Sequence, residues 1–244
     1  MNVLVTGGTG NLGRAVVHRL RAVDIEPRVL SRTQGPGLIT GDLRTGDGLA
    51  AALDGVDTVL HLATTNRNDL DITRTLLDAA RAGGASAPRI VYISIVGVDA
   101  IPLGYYRGKL AAERAIEGSG LPFAVLRASQ FHTLIEQIFR AQRALPVLVA
   151  PPFSAQPIAV SEVAERLVEL VHTGATGRVA DIGGPEVRTA REFGLLYQEA
   201  HSGRRSVRTL SMPGSIVRAF RAGHNLVPGV PYGRQTFAEF LAAR

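Results

Sequence analysis

No cysteine occurs in this chain of 244 residues. That excludes disulfides, thiolate zinc sites and cysteine nucleophiles, and it is compatible with a reducing compartment. No apolar run approaches the roughly 20 residues needed to span a bilayer. The opening Met-Asn-Val-Leu-Val passes straight into a strand pattern, with no basic leader and no long apolar stretch, so a soluble, cytoplasmic protein with no membrane partner is expected. The six histidines are scattered without ligand spacing, and no metal site is expected. The formal charge is +6, but the basic residues are dispersed and no stripe of aromatics accompanies them. A solvated surface with some affinity for anionic ligands follows, and a nucleic-acid partner is not expected.

Lysine is nearly absent too. Of 27 basic residues only Lys109 is lysine. A sequence that uses arginine wherever a surface charge suffices keeps an ammonium on a flexible stem at one place, which marks that place for a specific role. The alternative is a solvated lysine on a helix face.

What is present is a regular alternation of short apolar runs with longer helical patterns, the signature of a parallel sheet covered by helices on both faces. Strands are expected at 3–5, 28–30, 58–60, 89–93, 123–126, 157–160 and 178–182. Helices are expected at 11–23, 48–53, 70–82, 106–118, 130–144 and 162–172. Leu12, Val16, Val17 and Leu20 fall on one face of the first helix. Thr189 and Glu192 match a capping box that opens a helix through about Ala200, and the apolar Phe-Ala-Glu-Phe-Leu-Ala near the end reads as another. The expected fold is α/β: a doubly wound parallel sheet over residues 1–150, with a small substrate lobe over 151–244 that returns in part to the sheet. No sequence feature sets an oligomeric state.

Between the first strand and the first helix stands Thr-Gly-Gly-Thr-Gly-Asn-Leu-Gly, residues 6–13. Glycine permits positive φ and lets backbone approach a ligand, and a helix amino terminus offers N–H groups and partial positive charge. Gly7, Gly10 and Gly13, with Thr9, Asn11 and Leu12 between them, thus form a candidate cradle for the pyrophosphate of a dinucleotide. At the end of the second strand an NAD site usually places an acid against the ribose 2′-hydroxyl. Here Ser31-Arg32 stands instead. An arginine fork clamps a 2′-phosphate, so NADP is expected over NAD, with NAD still admissible.

The spacing of Gly7, Gly10 and Gly13 is similar to the fingerprint of the extended and atypical short-chain dehydrogenase/reductases. Tyr92–Asp99, Tyr105–Glu113, Gly120–Phe131 and Gly183–Glu186 extend the likeness in order, so the chain resembles the NmrA-like branch of NAD(P)-binding proteins in that superfamily. The resemblance implies a Rossmann fold, adenine contacts from Asp42 and Leu43, and a ribose and pyrophosphate wall from Ala63 and Thr64 after His61. His61 itself reads as a hydrogen-bonded structural histidine. Tyr105 and Lys109 form Tyr-x-x-x-Lys, one helical turn apart and on one face. The resemblance assigns Lys109 to the nicotinamide ribose and to lowering the tyrosine pKa, Tyr105 to proton transfer, and Ser94 to the substrate oxygen. Tyr106 stands next to Tyr105, and either could face the nicotinamide.

Open α/β sheets bind substrates at the carboxyl ends of their strands, which points to Gln130, Phe131 and His132, with Phe153 and Gln156 from the lobe. The aromatics among them serve equally as apolar wall. The leading expectation is an NADP-dependent oxidoreductase moving hydride between nicotinamide and a small carbonyl, quinone or enone. The rival is an NmrA-like NADP redox sensor that regulates a partner without turnover. Sugar-nucleotide epimerisation is disfavoured because the carboxyl-terminal lobe is short for a nucleotide sugar.

Overall fold

The computed structural model describes residues 1–65 and 68–243. In chain order, the first part of the chain forms β1 (Val3–Thr6), α1 (Asn11–Arg21), β2 (Arg28–Ser31), β3 (Leu38–Thr40), α2 (Leu49–Leu53), β4 (Thr58–His61) and α3 (Asp69–Arg81). Then follow β5 (Arg89–Ile95), α4 (Gly104–Glu117), β6 (Phe123–Ala128), α5 (His132–Arg140), β7 (Leu148–Ala150), β8 (Ser154–Ala155) and α6 (Val160–Thr173). The remainder holds β9 (Gly177–Arg178), β10 (Arg188–Thr189), α7 (Ala190–Ala200), β11 (Val207–Thr209), α8 (Ser215–Arg221) and α9 (Phe237–Ala242). No helix among the described residues is long and apolar enough to cross a membrane.

The chain divides into two compact units, each discontinuous in sequence. One comprises Met1–Ser94, Gly104–Arg127 and Val163–Ala180; the other comprises Ile95–Leu103, Ala128–Glu162 and Asp181–Arg244. This differs from a single cut after residue 150: the segment 128–150 belongs with the second unit and 163–180 with the first.

The first unit is built on a seven-stranded parallel sheet in the order β3-β2-β1-β4-β5-β6-β9. Chain direction across the sheet reverses between β1 and β4, the position at which open α/β sheets leave a crevice. Both faces of the strands are buried, as four consecutive buried residues in β1 and again in β4 require. Leu4 joins Leu49, Leu76, Leu77, Ala112 and Ile116 in a core shared with α2, α3 and α4. On the opposite face Val5, Val29 and Val17 converge on Gly8. There Leu12, Val16, Val17 and Leu20 are the buried stripe of α1, as the periodicity requires. Arg19 reaches Glu165 of α6 at 4.0 Å, placing α6 beside α1. Inside the unit, Arg127 of β6 donates to both oxygens of Glu113 of α4 at 2.9 and 2.7 Å, both side chains being buried.

The second unit is smaller in its sheets and richer in rings. Two-stranded pairs, β8 with β10 and β7 with β11, accompany a core of Phe139, Phe193, Tyr197, Phe237 and Leu241. Seven of the eight phenylalanines lie in this unit, so its core is aromatic where that of the first is aliphatic. Complete capping boxes open α7 at Thr189 and Glu192, and α9 at Thr236 and Glu239.

Residues 157–160 do not form the expected strand. Pro157 has no N–H to contribute to a ladder, Ile158 makes a single bridge to Phe131, and α6 already begins at Val160. The helix expected over 130–144 is shorter, because Gln130 and Phe131 stay extended to accept that pairing: Ile158 N donates to Gln130 O at 2.8 Å. The strand expected at 178–182 is reduced to β9 and an isolated bridge between Ile182 and Ala128.

Removal of one member of the buried Glu113–Arg127 pair leaves a charge without its counterpart, which costs about 3–5 kcal/mol. Glu113→Leu is therefore expected to lower stability by that order in urea unfolding, and the double variant Glu113→Leu/Arg127→Met to lose less. Equal losses for the two would contradict the assignment.

Candidate active site

The turn after β1 is shaped by backbone contacts that only glycine permits. Gly7 sits at φ +70°, and a Cβ there would lie 2.7 Å from the Ala63 amide nitrogen of the chain leaving β4. A Cβ on Gly13, in the first turn of α1, would lie 2.5 Å from Gly8 Cα and strike the Gly7 carbonyl. Helix α1 therefore rests directly on the turn. Gly10 caps it without a side-chain hydrogen bond, and its first turn holds no acid. An uncapped helix amino terminus, carrying partial positive charge and approached by bare backbone, matches the demand of a pyrophosphate.

Beside this turn lies a cavity of about 680 Å³. Of the residues expected to hold a dinucleotide, Gly7, Thr9, Gly10, Ser31, Arg32, Asp42, Leu43, Ala63 and Thr64 line it. Leu12 and Gly13 are instead buried in the packing of α1, Asn11 is exposed at its start, and Lys109 is not among the lining residues. The wall is completed by residues that sequence reasoning missed, chiefly Thr33 and Arg44 at one end and Thr65, Asn68 and Ile72 at the other.

Arg44 is the most informative of these. It grips the Asp42 carboxylate with its Nε at 3.0 and 3.1 Å and its Nη2 at 2.6 Å. The Arg44 side-chain and backbone hydrogen bonds, with the charges of Arg44 and Arg32, hold the Asp42 carboxyl down at about 2. The end of the cavity beyond β2 and β3 thus carries two guanidinium groups and one carboxylate, a net cation. The signal was present as Asp-Leu-Arg after Gly41, but only the pairing of β3 with β2 brings Arg44 beside Arg32's loop.

At the other end of the cavity Thr64 and Thr65 meet Asp69, the first residue of α3, which is 2% exposed. Its carboxylate accepts the Thr64 hydroxyl at 2.8 and 3.0 Å and the Thr65 amide at 2.7 Å. Lys109 Nζ stands 3.4 Å from the same carboxylate, donates to Ile93 O at 3.3 Å and lies 4.8 Å over the Tyr92 ring. Lys109 is therefore no solvated surface lysine; it is 3% exposed. Burial pushes its pKa down, opposed by Asp69 and Glu113.

Tyr105 is half-buried, with its hydroxyl 3.4 Å from Thr64 Oγ1, whereas Tyr106 is buried. Burial and the Asp69 charge push the Tyr105 phenol up, and the Thr64 hydroxyl acts against them. The charge that reaches Tyr105 is thus that of Asp69 rather than the acidifying ammonium that the resemblance implies. Ser94 Oγ, at the end of β5, is buried and has no hydrogen-bond partner among the described residues. His61 is held between Thr6 Oγ1 at 2.8 Å and Thr73 Oγ1 at 3.0 Å, and burial with the nearby Lys109 charge pushes it down to about 3, so it is a neutral structural ring.

The expected substrate residues all lie in the second unit, where several are committed to its own loops. Gln156 donates to Gly184 O at 2.9 Å and accepts from Val227 N at 2.7 Å. His132 meets Gln235 O at 3.0 Å through Nε2 and stacks on Phe240. Phe153 stacks on Phe220, with centroids 4.5 Å apart. Gln130 makes one long contact, to Asn225 O at 3.4 Å, and Phe131 precedes α5 as its cap residue.

Residues 7–173 match the model of a protein family described as NAD(P)H-binding. Among curated relatives, a (4-alkanoyl-5-oxo-2,5-dihydrofuran-3-yl)methyl phosphate reductase of Streptomyces griseus is 32% identical over 206 residues, covering 78% of this chain and 70% of the relative. Photosystem II assembly factor Ycf39 of Trieres chinensis is 31% identical over 169 residues, and the match spans 61% of this chain and only half of that protein's length. Among solved structures, an NADPH-dependent quinone oxidoreductase of Escherichia coli complexed with NADPH superimposes with a TM-score of 0.81, at 18% identity and over 99% of both chains, a likeness of fold.

Two outcomes follow from this geometry. Gly13→Val forces α1 off the turn and is expected to weaken NADPH binding at least about tenfold by fluorescence titration, a loss of roughly 1.4 kcal/mol; binding at the wild-type level would contradict the cradle. Asp42 has a depressed pKa in the folded state, so its stabilising contribution is complete above its unfolded value near 4 and is lost as pH falls toward 2. Arg44→Gln is expected to raise the Asp42 titration toward the ordinary carboxylate value, read by carbon NMR of the carboxyl; an unmoved titration would show that Arg44 does not hold it.

Proposed function

The chain belongs to the NAD(P)H-binding family, and from that membership we propose that it is an NADP-dependent oxidoreductase acting on a small carbonyl, quinone or enone. The observation that supports this reading is a contact at the cavity's edge: Thr64 lines the cavity, and its hydroxyl lies 3.4 Å from the phenol of Tyr105. When bound, NADPH supplies a hydride.

The chain's own residues divide the remaining work. Gly7, Gly10 and the amino end of α1 receive the pyrophosphate, and Arg32 with Arg44 receives the 2′-phosphate. Asp42 and Leu43 stand at the adenine, Ala63 and Thr64 along the ribose and pyrophosphate, and Lys109 at the nicotinamide ribose. Tyr105 donates a proton to the substrate oxygen, with the hydroxyl of Ser94, which has no hydrogen-bond partner among the described residues, available to orient that oxygen. A phenol with a raised pKa keeps its proton at neutral pH, which suits an acid in reduction rather than a base in oxidation. On the substrate side, Gln130 and Phe131 are the favoured candidates, since His132, Phe153 and Gln156 make the contacts described within their own unit.

The likeness to the reductase of Streptomyces griseus supports reduction as the type of reaction. One observation favours the rival reading of an NADP sensor without turnover: the Lys109 ammonium is paired with Asp69, and burial with the Asp69 charge pushes the Tyr105 phenol up.

NADPH and NADH titrations with wild type, Arg32→Ala and Arg44→Ala separate the cofactors. Each variant is expected to lose about 10- to 100-fold in NADPH affinity, the worth of a hydrogen bond to a charged group, with little change for NADH. Equal losses for both cofactors would discard the 2′-phosphate site. Oxidation of bound NADPH by a panel of quinones and enones, slowed about 100-fold or more by Tyr105→Phe, is the result expected of a reductase. Tight NADPH binding with no turnover on any compound would favour the sensor.

A further inference from the structure

We propose that Asp69 is the positioning residue of this site: one buried carboxylate that holds the Lys109 ammonium and, through the Thr64 hydroxyl, the Tyr105 phenol as a single hydrogen-bonded unit with the loop lining the nucleotide cavity. The inference rests on the reductase reading of the site and adds a residue outside the motifs that carry that reading. Asp69 itself does not line the cavity.

Its contacts account for the role. The carboxylate accepts from Thr64 Oγ1 and from the Thr65 amide, which ties these two residues to the start of α3. It faces Lys109 Nζ at 3.4 Å, and Lys109 in turn is tied to β5 through Ile93 O. A hydroxyl has one proton, and Thr64 Oγ1 stands within donating reach of two acceptors: the Asp69 carboxylate, the stronger and nearer, at 2.8 Å, and the Tyr105 hydroxyl at 3.4 Å. When Tyr105 is ionised, Thr64 turns its proton to the phenolate. Asp69 and Tyr105 therefore compete for one proton, and the charge on each is felt by the other.

A purely architectural ion pair looks different. Glu113 and Arg127 meet in a two-pronged contact at 2.7 and 2.9 Å, whereas Asp69 and Lys109 stand farther apart and spend their remaining bonding capacity on the loop and the sheet. A stretched buried pair recovers its desolvation cost poorly, and the geometry that it maintains is that of Lys109 and Tyr105. The groups around them are few. Tyr105 faces Asp69 from α3, Tyr92 from β5 and the Tyr106 ring on its own helix; Lys109 faces Asp69, Tyr92, Glu113 and the neutral His61 of β4.

The test uses two compositional features of the full chain: a single lysine and no tryptophan. Lysine labelled with carbon-13 at Cε gives one NMR signal, that of Lys109, and ionisation of Tyr105 is read from near-ultraviolet absorbance with Tyr105→Phe as the blank. Asp69→Asn is expected to bring the Tyr105 midpoint down by about one pH unit or more, because a negative charge beside it is lost, and to bring the Lys109 midpoint down with it. Thr64→Val is expected to move the Tyr105 midpoint up, since the phenolate loses its donor, and to leave the Lys109 signal in place. A folded Asp69→Asn with an unmoved Tyr105 midpoint overturns the proposal, as does a Thr64→Val that moves neither group; if Asp69→Asn fails to fold, Thr64→Val decides. Addition of NADPH to the labelled wild type tests the underlying reading separately. A Lys109 signal that does not respond removes the ribose role, while the coupling through Asp69 is judged by the titrations alone.

Discussion

The seating of α1 on the turn after β1 is the constraint from which the site follows. Two glycines without Cβ atoms let a helix end, a strand end and the backbone leaving β4 occupy a volume that any larger residue would fill. That approach aims the helix amino terminus into the crevice where the sheet reverses direction, and it leaves backbone rather than side chains as the floor of the cavity. Everything proposed for the nucleotide depends on it: a charged phosphate group would be stabilised there by oriented N–H groups that need no reorganisation.

A second constraint, the buried carboxylate of Asp69, works at the opposite end of the cavity. In the superfamily that the chain resembles, a tyrosine one turn before a lysine suggests a phenol acidified by a nearby ammonium. Here the ammonium is largely neutralised by its own partner, and the phenol is driven upward by burial and by that same partner. The consequence is directional. A tyrosine that holds its proton is a competent acid at neutral pH and a poor base, which is the property the proposed reduction requires of Tyr105.

Much of this was legible in the order of residues, and what was not failed for identifiable reasons. Gly7, Gly10 and Gly13 carry their meaning in spacing, because a strand, a tight turn and a helix must follow each other in sequence. Lys109 stood out by rarity. Arg44 and Asp69 did not stand out at all: Arg44 gains its place from the pairing of β3 with β2, and Asp69 looks in sequence like its exposed neighbour Asp71. The apolar run at 157–160 carries a strand's hydrophobicity but not its hydrogen bonds, since Pro157 has no N–H and α6 begins at Val160. His132 and Gln156 stand out in sequence because they follow or face strand ends; in the structure His132 Nε2 meets Gln235 and the Gln156 amide is held by Gly184 and Val227.

The central claim is that a dinucleotide occupies the cavity of the first unit, along the ends of β1, β2 and β4. Amide hydrogen exchange of the full chain with and without saturating NADPH tests it most directly. Slowed exchange concentrated in Thr6–Gly13 and Ser31–Arg44 is the result this account predicts. Slowing that spares both segments, or no slowing anywhere in the chain, would contradict it.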